Sequence, residues 1–353
     1  MRPHTSRLVG GWLAAAGPRV SVRTVDYDAL VIGESLIDVV VRESGVGRYP
    51  GGSPLNVAVG LGRLGHRTLL LTHIADDLDG QMIANHLLDS DVDLSLDSFS
   101  AARTSTARAT IGASGSAEYE FDVEWAIASP PVLPRAKVIH SGSVAAFMQP
   151  GASTVERVLA TTDGVVLSFD PNIRPSLLGS HRDVLAAFER YCEVVDVLKL
   201  SDEDATWLYP TKSLSEVLDS ALARGVRLVV GTKGAEGAVV VSRAGHAKVA
   251  ARASEVVDTV GAGDAFMSSL ISSVIETGLR VYHQDELQRI GEQAALAAAI
   301  TVSRSGALPP TRHELESGVG SKESTTPQRV VRSASRTTRG RRLRPPLRAE
   351  QED

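Results

Sequence analysis

Residues 258–266 read Asp258-Thr259-Val260-Gly261-Ala262-Gly263-Asp264-Ala265-Phe266 and run directly into MSSLISSVIETGL (267–279), an apolar stretch with helical spacing. A Gly-Ala-Gly turn entering a helix aims several backbone N–H groups, with the positive end of the helix dipole, at one point. Such a point binds phosphate or a developing oxyanion. Asp264 stands beside those amides, where a carboxylate is a poor anion-binding group and a good general base. It can take a hydroxyl proton while the amides of Gly261, Ala262 and Gly263 hold a transferring phosphoryl group. The plainer reading, that Asp264 only caps its helix, carries little weight once the whole pattern is counted. No G-x-x-x-x-G-K-[ST] loop occurs, which excludes a P-loop enzyme.

A second glycine-rich stretch lies upstream, GGSPLNVAVGLGRLG at 51–65. Gly60 to Gly65 match G-x-G-x-x-G letter for letter, yet that dinucleotide fingerprint works only where a strand ends and a helix begins. Here it closes a helical pattern: Ser53 is the expected N-cap, Pro54 suits the first helical position, and Leu55, Ala58, Leu61 and Leu64 follow helical spacing until Gly65. Gly60 and Gly62 then read as close-packing positions. At the start of the helix, Gly51 and Gly52 let the backbone approach a ligand and Asn56 offers a polar side chain, so a hydroxylated molecule can dock there.

Short β-branched runs alternate with amphipathic helical stretches through the middle of the chain: ALVIGE (29–34), RTLLLTHI (67–74), AKVIHSGSV (136–144), GVVLSFD (164–170), VVDVLKLS (194–201) and VRLVVGT (226–232). That alternation predicts an α/β fold with a mostly parallel central sheet covered on both faces. Two regions break it. AEYEFDVE (117–124) alternates strictly and is expected to be a half-buried antiparallel strand, with TARATIGA (106–113) as its hairpin partner across Ser114-Gly115-Ser116. Residues 36–50 are strand-rich as well. Together these segments, near 36–50 and 99–126, predict a small sheet standing off the main one as a lid, with an ordinary edge hairpin as the alternative.

The segments GGSPLNVAVGLGRLG and DTVGAGDAF, in this order and at this separation, resemble the two signatures of the ribokinase-like, PfkB-type carbohydrate kinases, and the resemblance runs from about Leu30 to about Pro309. It implies a ribokinase-like α/β/α sandwich with a small β-lid and an ATP-dependent kinase acting on a sugar hydroxyl. It also implies roles. Asp264 is the base, and Asp38, in GESLID, binds sugar hydroxyls with Gly52 and Asn56. Lys199-Leu200-Ser201-Asp202-Glu203-Asp204 stands where the family has N-x-x-E, so Asp204 would approach Mg²⁺ through water. Thr232, Gly234 and Gly237 form a nucleotide loop beside Lys199, and Ser305 and Gly306 an adenine-side turn. Ala295 stands where an Asn or His is often found. Asp258 and the Val260 carbonyl lie where relatives bind a monovalent cation such as K⁺. SFDPNIR (168–174) resembles the D-x-N-x-R stretch of fructokinases and 2-keto-3-deoxygluconate kinases, with Arg174 a forked donor for phosphate, hydroxyl or carboxylate. Fructose is the favoured acceptor and 2-keto-3-deoxygluconate the alternative, with ribose or a nucleoside behind them. A different class, a non-catalytic interaction protein on the same fold, would be favoured by loss of Asp264 or of the Gly-Ala-Gly turn, and both are present.

Charge divides the chain into three parts. The body from 26 to 317 carries 24 basic and 38 acidic residues, whereas residues 1–25 hold only four arginines as charged groups and 318–353 hold nine basic and four acidic residues. The C-terminal arm, ending RVVRSASRTTRGRRLRPPLRAEQED, has too little apolar surface to offset its ordering entropy, so it is expected to be a disordered basic tail. The N-terminal 25 residues are expected to be a disordered extension or the product of a start assigned too early; their likeness to a signal peptide is broken by Gly10 and Gly11. With 4% aromatic residues and an acidic body, a base-stacking nucleic-acid surface is not expected. No apolar run is long enough to span a membrane. The one cysteine, Cys192, fits a reducing compartment, with the cytoplasm as the expected location. The apolar side of the lid strand suggests a homodimer through the lid.

Overall fold

The computed structural model describes residues 21–43, 45–112, 117–127 and 132–318. In chain order the elements are β1 (Ser21–Ile32), β2 (Leu36–Arg42), β3 (Gly45–Gly51), α1 (Ser53–Arg63), β4 (Thr68–Leu71), α2 (Leu78–Leu88) and β5 (Val92–Leu94). Then come β6 (Thr106–Ile111), β7 (Ala117–Asp122), β8 (Val132–Gly142), α3 (Gly151–Thr161), β9 (Val166–Asp170), α4 (His181–Val194), β10 (Val197–Ser201) and α5 (Asp202–Leu208). The rest are α6 (Leu214–Arg224), β11 (Leu228–Thr232), β12 (Ala238–Ser242), β13 (Gly245–Val249), α7 (Ala262–Thr277), α8 (Gln284–Val302) and α9 (Arg312–Ser317).

Nine strands form the main sheet in the order β13-β12-β11-β10-β9-β8-β1-β4-β5, parallel from β11 to β5 and antiparallel at the β12 and β13 edge. Alternation along β1 shows why the sheet has two covers. Ala29 and Val31 join one core with α1, α7 and α8, while Leu30 and Ile32 join the other with α3, α4 and α6. From Ala29 to Ile32 both faces of β1 are buried, which is why that part of its sequence reads as an unbroken apolar run. After β1 the chain builds outward through β4 to β5 and then returns to β8 on the other side of β1. The carboxyl ends of β1 and β8 are therefore the point where the strand order reverses, the place where open α/β sheets bind ligands.

The second sheet, β3-β2-β6-β7, leaves the carboxyl end of β1 after only Gly33, Glu34 and Ser35, as the lid reading expects. Asp38 pairs with Tyr49 on one side and Ala107 on the other, and Ala107 pairs with Phe121, so these residues share a face. The opposite face, with Ile37 and Val39, is buried in the core. The β6–β7 pairing agrees with the expected hairpin, while its turn at 114–116 lies outside the described residues.

Three expectations are corrected. β7 is not half-buried: Tyr119 is 62% and Phe121 42% exposed, because among the described residues no element covers this end of the lid face. Residues 21–25, read as part of a disordered extension, extend β1, pairing Ser21 with Val132 and Arg23 with Pro134 across a bulge before Asp26. Polar residues there hide the strand from an apolar pattern. Finally, α1 is capped by Gly52 and makes no side-chain cap, so Ser53 sits at the first helical position and its hydroxyl serves another residue. The first 20 residues and 319–353 lie outside the described residues.

Gly60 and Gly62 do pack as expected. A Cβ on Gly60 would lie 2.3 Å from Ser268 Oγ of α7, and one on Gly62 would lie 2.1 Å from the Ser90 carbonyl oxygen. Gly65, at φ +81°, ends the helix at C′. Helices α1 and α7 thus cross closely enough to bring their first turns together.

Candidate active site

The Gly261 N-cap of α7 has a left-handed φ of +77°, and a Cβ there would lie 2.5 Å from Ala307 Cβ, so glycine is required on both counts. The N–H groups that follow, in the first turn, have no partner within the helix. Asp264, at the third helical position, does not cap its own helix. Its Oδ1 accepts a hydrogen bond from Ser53 Oγ at 2.6 Å and its Oδ2 one from Asn56 Nδ2 at 2.8 Å. Burial pushes the Asp264 carboxyl above the usual carboxylate range, while those two bonds and the positive charges of Lys199 and Arg174 pull the other way. The outcome is a buried carboxyl group held by two hydrogen bonds from α1.

Asp38 lies against the end of β3, and Gly52 immediately precedes Ser53. A Cβ on Gly51 would meet Asp38 Oδ2 at 2.2 Å, and Gly52, at φ +111°, passes so close that its Cβ would lie 2.6 Å from the Glu34 carbonyl oxygen. Burial pushes Asp38 up to about 6 and Glu34 up to about 7. Glu34 Oε2 accepts from the Ala145 N–H at 2.9 Å, tying the end of β1 to the turn after β8. Asn56, assigned to the sugar pocket, reaches Asp264 directly.

A cleft of about 890 Å³ opens along the carboxyl ends of the strands. After β9 it is lined by Asn172 and Arg174, at the end of β10 by Lys199, Ser201 and Asp204, and beyond β11 by Thr232, Gly234 and Gly237. Ala262, Gly263 and Phe266 of α7 close one end, and Ala295, Ala298 and Ala299 of α8 form an apolar wall. Its size suits a nucleotide. Ser305 and Gly306 do not line it: Ser305 is exposed, and the Gly306 N–H donates to Asp258 Oδ2 at 2.9 Å. Asp258 Oδ1 accepts from the Val260 N–H at 3.0 Å, so both of its oxygens staple the loop before α7 to the 306 turn.

Asp204 is similarly engaged. Its Oδ1 accepts from the Ile173 N–H at 2.8 Å and its Oδ2 from the Ser201 N–H at 3.0 Å, completing a capping box for α5. Mg²⁺ usually takes one or two carboxylates plus waters and substrate phosphates. A carboxylate already holding two backbone amides suits contact through water, and among the described residues no group of three or more His, Cys, Asp or Glu could hold a metal alone. The residues fit a metal brought in with a triphosphate.

Two residues of the site carry no local signal in the sequence. Ser53 reads as a cap because its partner lies 211 residues away. Asp170, within the quoted SFDPNIR, has no role until β9 and β10 are placed side by side, where its Oδ2 accepts from Lys199 Nζ at 2.5 Å.

A model described as pfkB family carbohydrate kinase matches residues 25–314. The chain belongs to the pfkB family of carbohydrate kinases. Curated members similar to it include Fructokinase-1 of Oryza sativa subsp. japonica, 30% identical over 304 residues that cover 80% of this chain and 94% of that one. The fructokinase of Rhizobium leguminosarum bv. trifolii is 33% identical over 258 residues, covering 69% and 79%. Among solved structures, fructokinase from Vibrio cholerae O395 with fructose, ADP and calcium ion superposes with a TM-score of 0.72 at 26% identity, covering 82% of this chain and 98% of that one. As a pfkB carbohydrate kinase, the chain is a phosphotransferase with an alcohol acceptor.

Proposed function

We propose that this enzyme is a fructokinase, transferring the γ-phosphoryl group of ATP to a primary hydroxyl of fructose. The observation that carries this is the Asp264 carboxylate, fixed by Ser53 and Asn56, at the N-terminus of α7 where the cleft ends in Gly263. The names of the relatives and the D-P-N-I-R segment favour fructose over 2-keto-3-deoxygluconate.

In this reading fructose lies between Asp38, Gly52 and Asp264, and ATP occupies the cleft with its phosphates towards Gly263, Lys199 and Arg174. Asp264 takes the hydroxyl proton as the acceptor oxygen bonds to the γ-phosphorus and the bond to the β,γ-bridging oxygen breaks, releasing ADP. The Gly261–Gly263 amides hold the charge that gathers on the transferring group. Mg²⁺, held by the phosphates and through water by Asp204, would supply further charge neutralisation. Cation binding near Asp258 would act on the loop that shapes the amide cradle. A lid over the sugar limits transfer to water.

The test is ADP production across fructose, 2-keto-3-deoxygluconate, ribose and adenosine. Fructose is expected to give the highest kcat/KM. Preference for another acceptor would reject the fructose assignment, and no turnover with any would favour a binding protein.

A second copy is the proposed cover for the lid face on which Tyr119 and Phe121 stack at 6.1 Å between centroids, and light scattering should report a dimer. The buried Cys192 thiol fits a reducing cytoplasm.

A further inference from the structure

The buried pair formed by Asp170 and Lys199 lies on the side of the sheet facing α7, at the level of the anion cradle. Val197 pairs with Ser168 and Leu198 with Phe169, so the next step of the register sets Lys199 beside Asp170. Lys199 is 4% and Asp170 2% exposed, and Nζ lies 2.5 Å from Oδ2. Lys199 lines the cleft, whereas Asp170 stands behind it. A Cβ on Gly263 would be 3.5 Å from Nζ, which places the ammonium directly under the first turn of α7.

That is an unfavourable site for a resident cation. The N-terminus of a helix carries partial positive charge and repels an ammonium, and the buried face of the sheet, with Val197 two residues before Lys199 on the same side, offers no solvation. Asp170 compensates only in part for its own burial, since its Oδ1 is buried without a hydrogen-bond partner. An apolar pair would suit a sheet interior better than an ion pair with one oxygen unsatisfied. Other charges facing Lys199 are Asp204 of α5 and Asp264 of α7, while His140 of β8, pushed down to about 3 by burial and by Lys199, stays neutral. Positive charge from a side chain and from a helix end converging on one point is the arrangement a dianionic phosphoryl group requires.

Building on the kinase reading above, we infer that Asp170 is a positioning residue for phosphoryl transfer. It holds the Lys199 ammonium against the Gly261–Gly263 cradle so that Nζ donates to a non-bridging oxygen of the transferring group. Asp170 touches neither substrate. It acts by denying Lys199 other rotamers and by keeping its charge in place while the site is empty.

The full chain is assayed with ATP and whichever of the four acceptors the wild-type enzyme uses best, comparing Asp170→Asn, Lys199→Met and the double variant. Asp170→Asn is expected to lower kcat by about 100-fold, the scale of one lost transition-state contact, with the KM for the acceptor unchanged. The double variant should be no slower than Lys199→Met, because Asp170 acts only through Lys199. Losses that multiply in the double variant, or near-normal turnover in Asp170→Asn, would overturn the proposal. Should Asp170→Asn not fold, Lys199→Leu provides the second reading: it fills the sheet interior with an apolar group, so it should melt at or above the wild-type temperature while losing turnover, and retained turnover overturns the idea. A wild-type enzyme inert towards all four acceptors would instead reject the kinase reading on which this rests.

Discussion

The Ser53 hydroxyl donates to Asp264 Oδ1 at 2.6 Å, joining the first turn of α1 to the first turn of α7. The bond stabilises the ionised carboxylate, the form that can accept a proton. Removing it in Ser53→Ala raises further a pKa that burial has already raised. The base is active when ionised, so the acidic limb of kcat/KM should move to higher pH while the alkaline plateau is kept. A pH–rate profile that coincides with wild type would show the bond to be incidental.

Replacing the proposed base separates binding from chemistry. Asp264→Asn keeps the shape, since its oxygen can accept from Asn56 Nδ2 while its NH2 donates to the Ser53 hydroxyl, but it cannot take a proton. We expect ATP and sugar binding by calorimetry to be retained and turnover to fall about 1,000-fold or more. Near-normal turnover would remove Asp264 from the mechanism.

Gly60→Ala tests the helix crossing on which the site depends. In an exposed helix this change stabilises by about 0.5–1 kcal/mol. Here the new methyl would lie 2.3 Å from Ser268 Oγ, a buried group that donates to the Ala265 carbonyl at 3.0 Å. The helices must separate, and a net destabilisation of about 1–3 kcal/mol is expected. Denaturant melts measure it, and the same variant should lose turnover because Ser53 and Asn56 move with α1. A more stable, fully active variant would contradict the packing.

Glu34 gives a pH dependence of stability. Burial pushes its pKa up to about 7 from an ordinary 4.5. Between those values the folded chain keeps a proton that the unfolded chain has released, so this group's stabilising contribution is complete below about pH 4.5 and is lost as pH rises through about 7. Gln remains neutral throughout and can still accept from the Ala145 N–H. Relative to wild type, Glu34→Gln should therefore gain on the order of 3 kcal/mol between pH 4.5 and pH 8. Unfolding curves at the two pH values decide it, and an unchanged difference between the proteins would show that Glu34 titrates normally.

How much of this was legible before any coordinates depended on the range of the interaction. The Gly-Ala-Gly turn, the helix from Ser53 to Gly65 and the parallel strands are local patterns, and the structure places them where the sequence does. The antiparallel pair β12 and β13 was not read, since GAVVVSRAGHAKVA lacks a helix to alternate with. Ser53 reads as a cap because a hydroxyl at a helix start has a local use, and only the α1–α7 crossing reveals the distant one. Asp170 and Lys199 meet across two strands, a relation that no spacing within either strand encodes. Tyr119 and Phe121 alternate as a buried face would, yet sequence periodicity does not say whether the cover belongs to the same chain.

The three residues between β1 and β2 pack the lid's link against the start of α1. Gly33 lies against Pro54, where an added Cβ would come within 2.2 Å of the proline ring, and Pro54 sits between Ser53 and the turn that presents Asn56. The link from the main sheet to the lid therefore packs against the same turn whose Ser53 and Asn56 grip Asp264, so a side chain introduced at Gly33 would be felt at that carboxyl group.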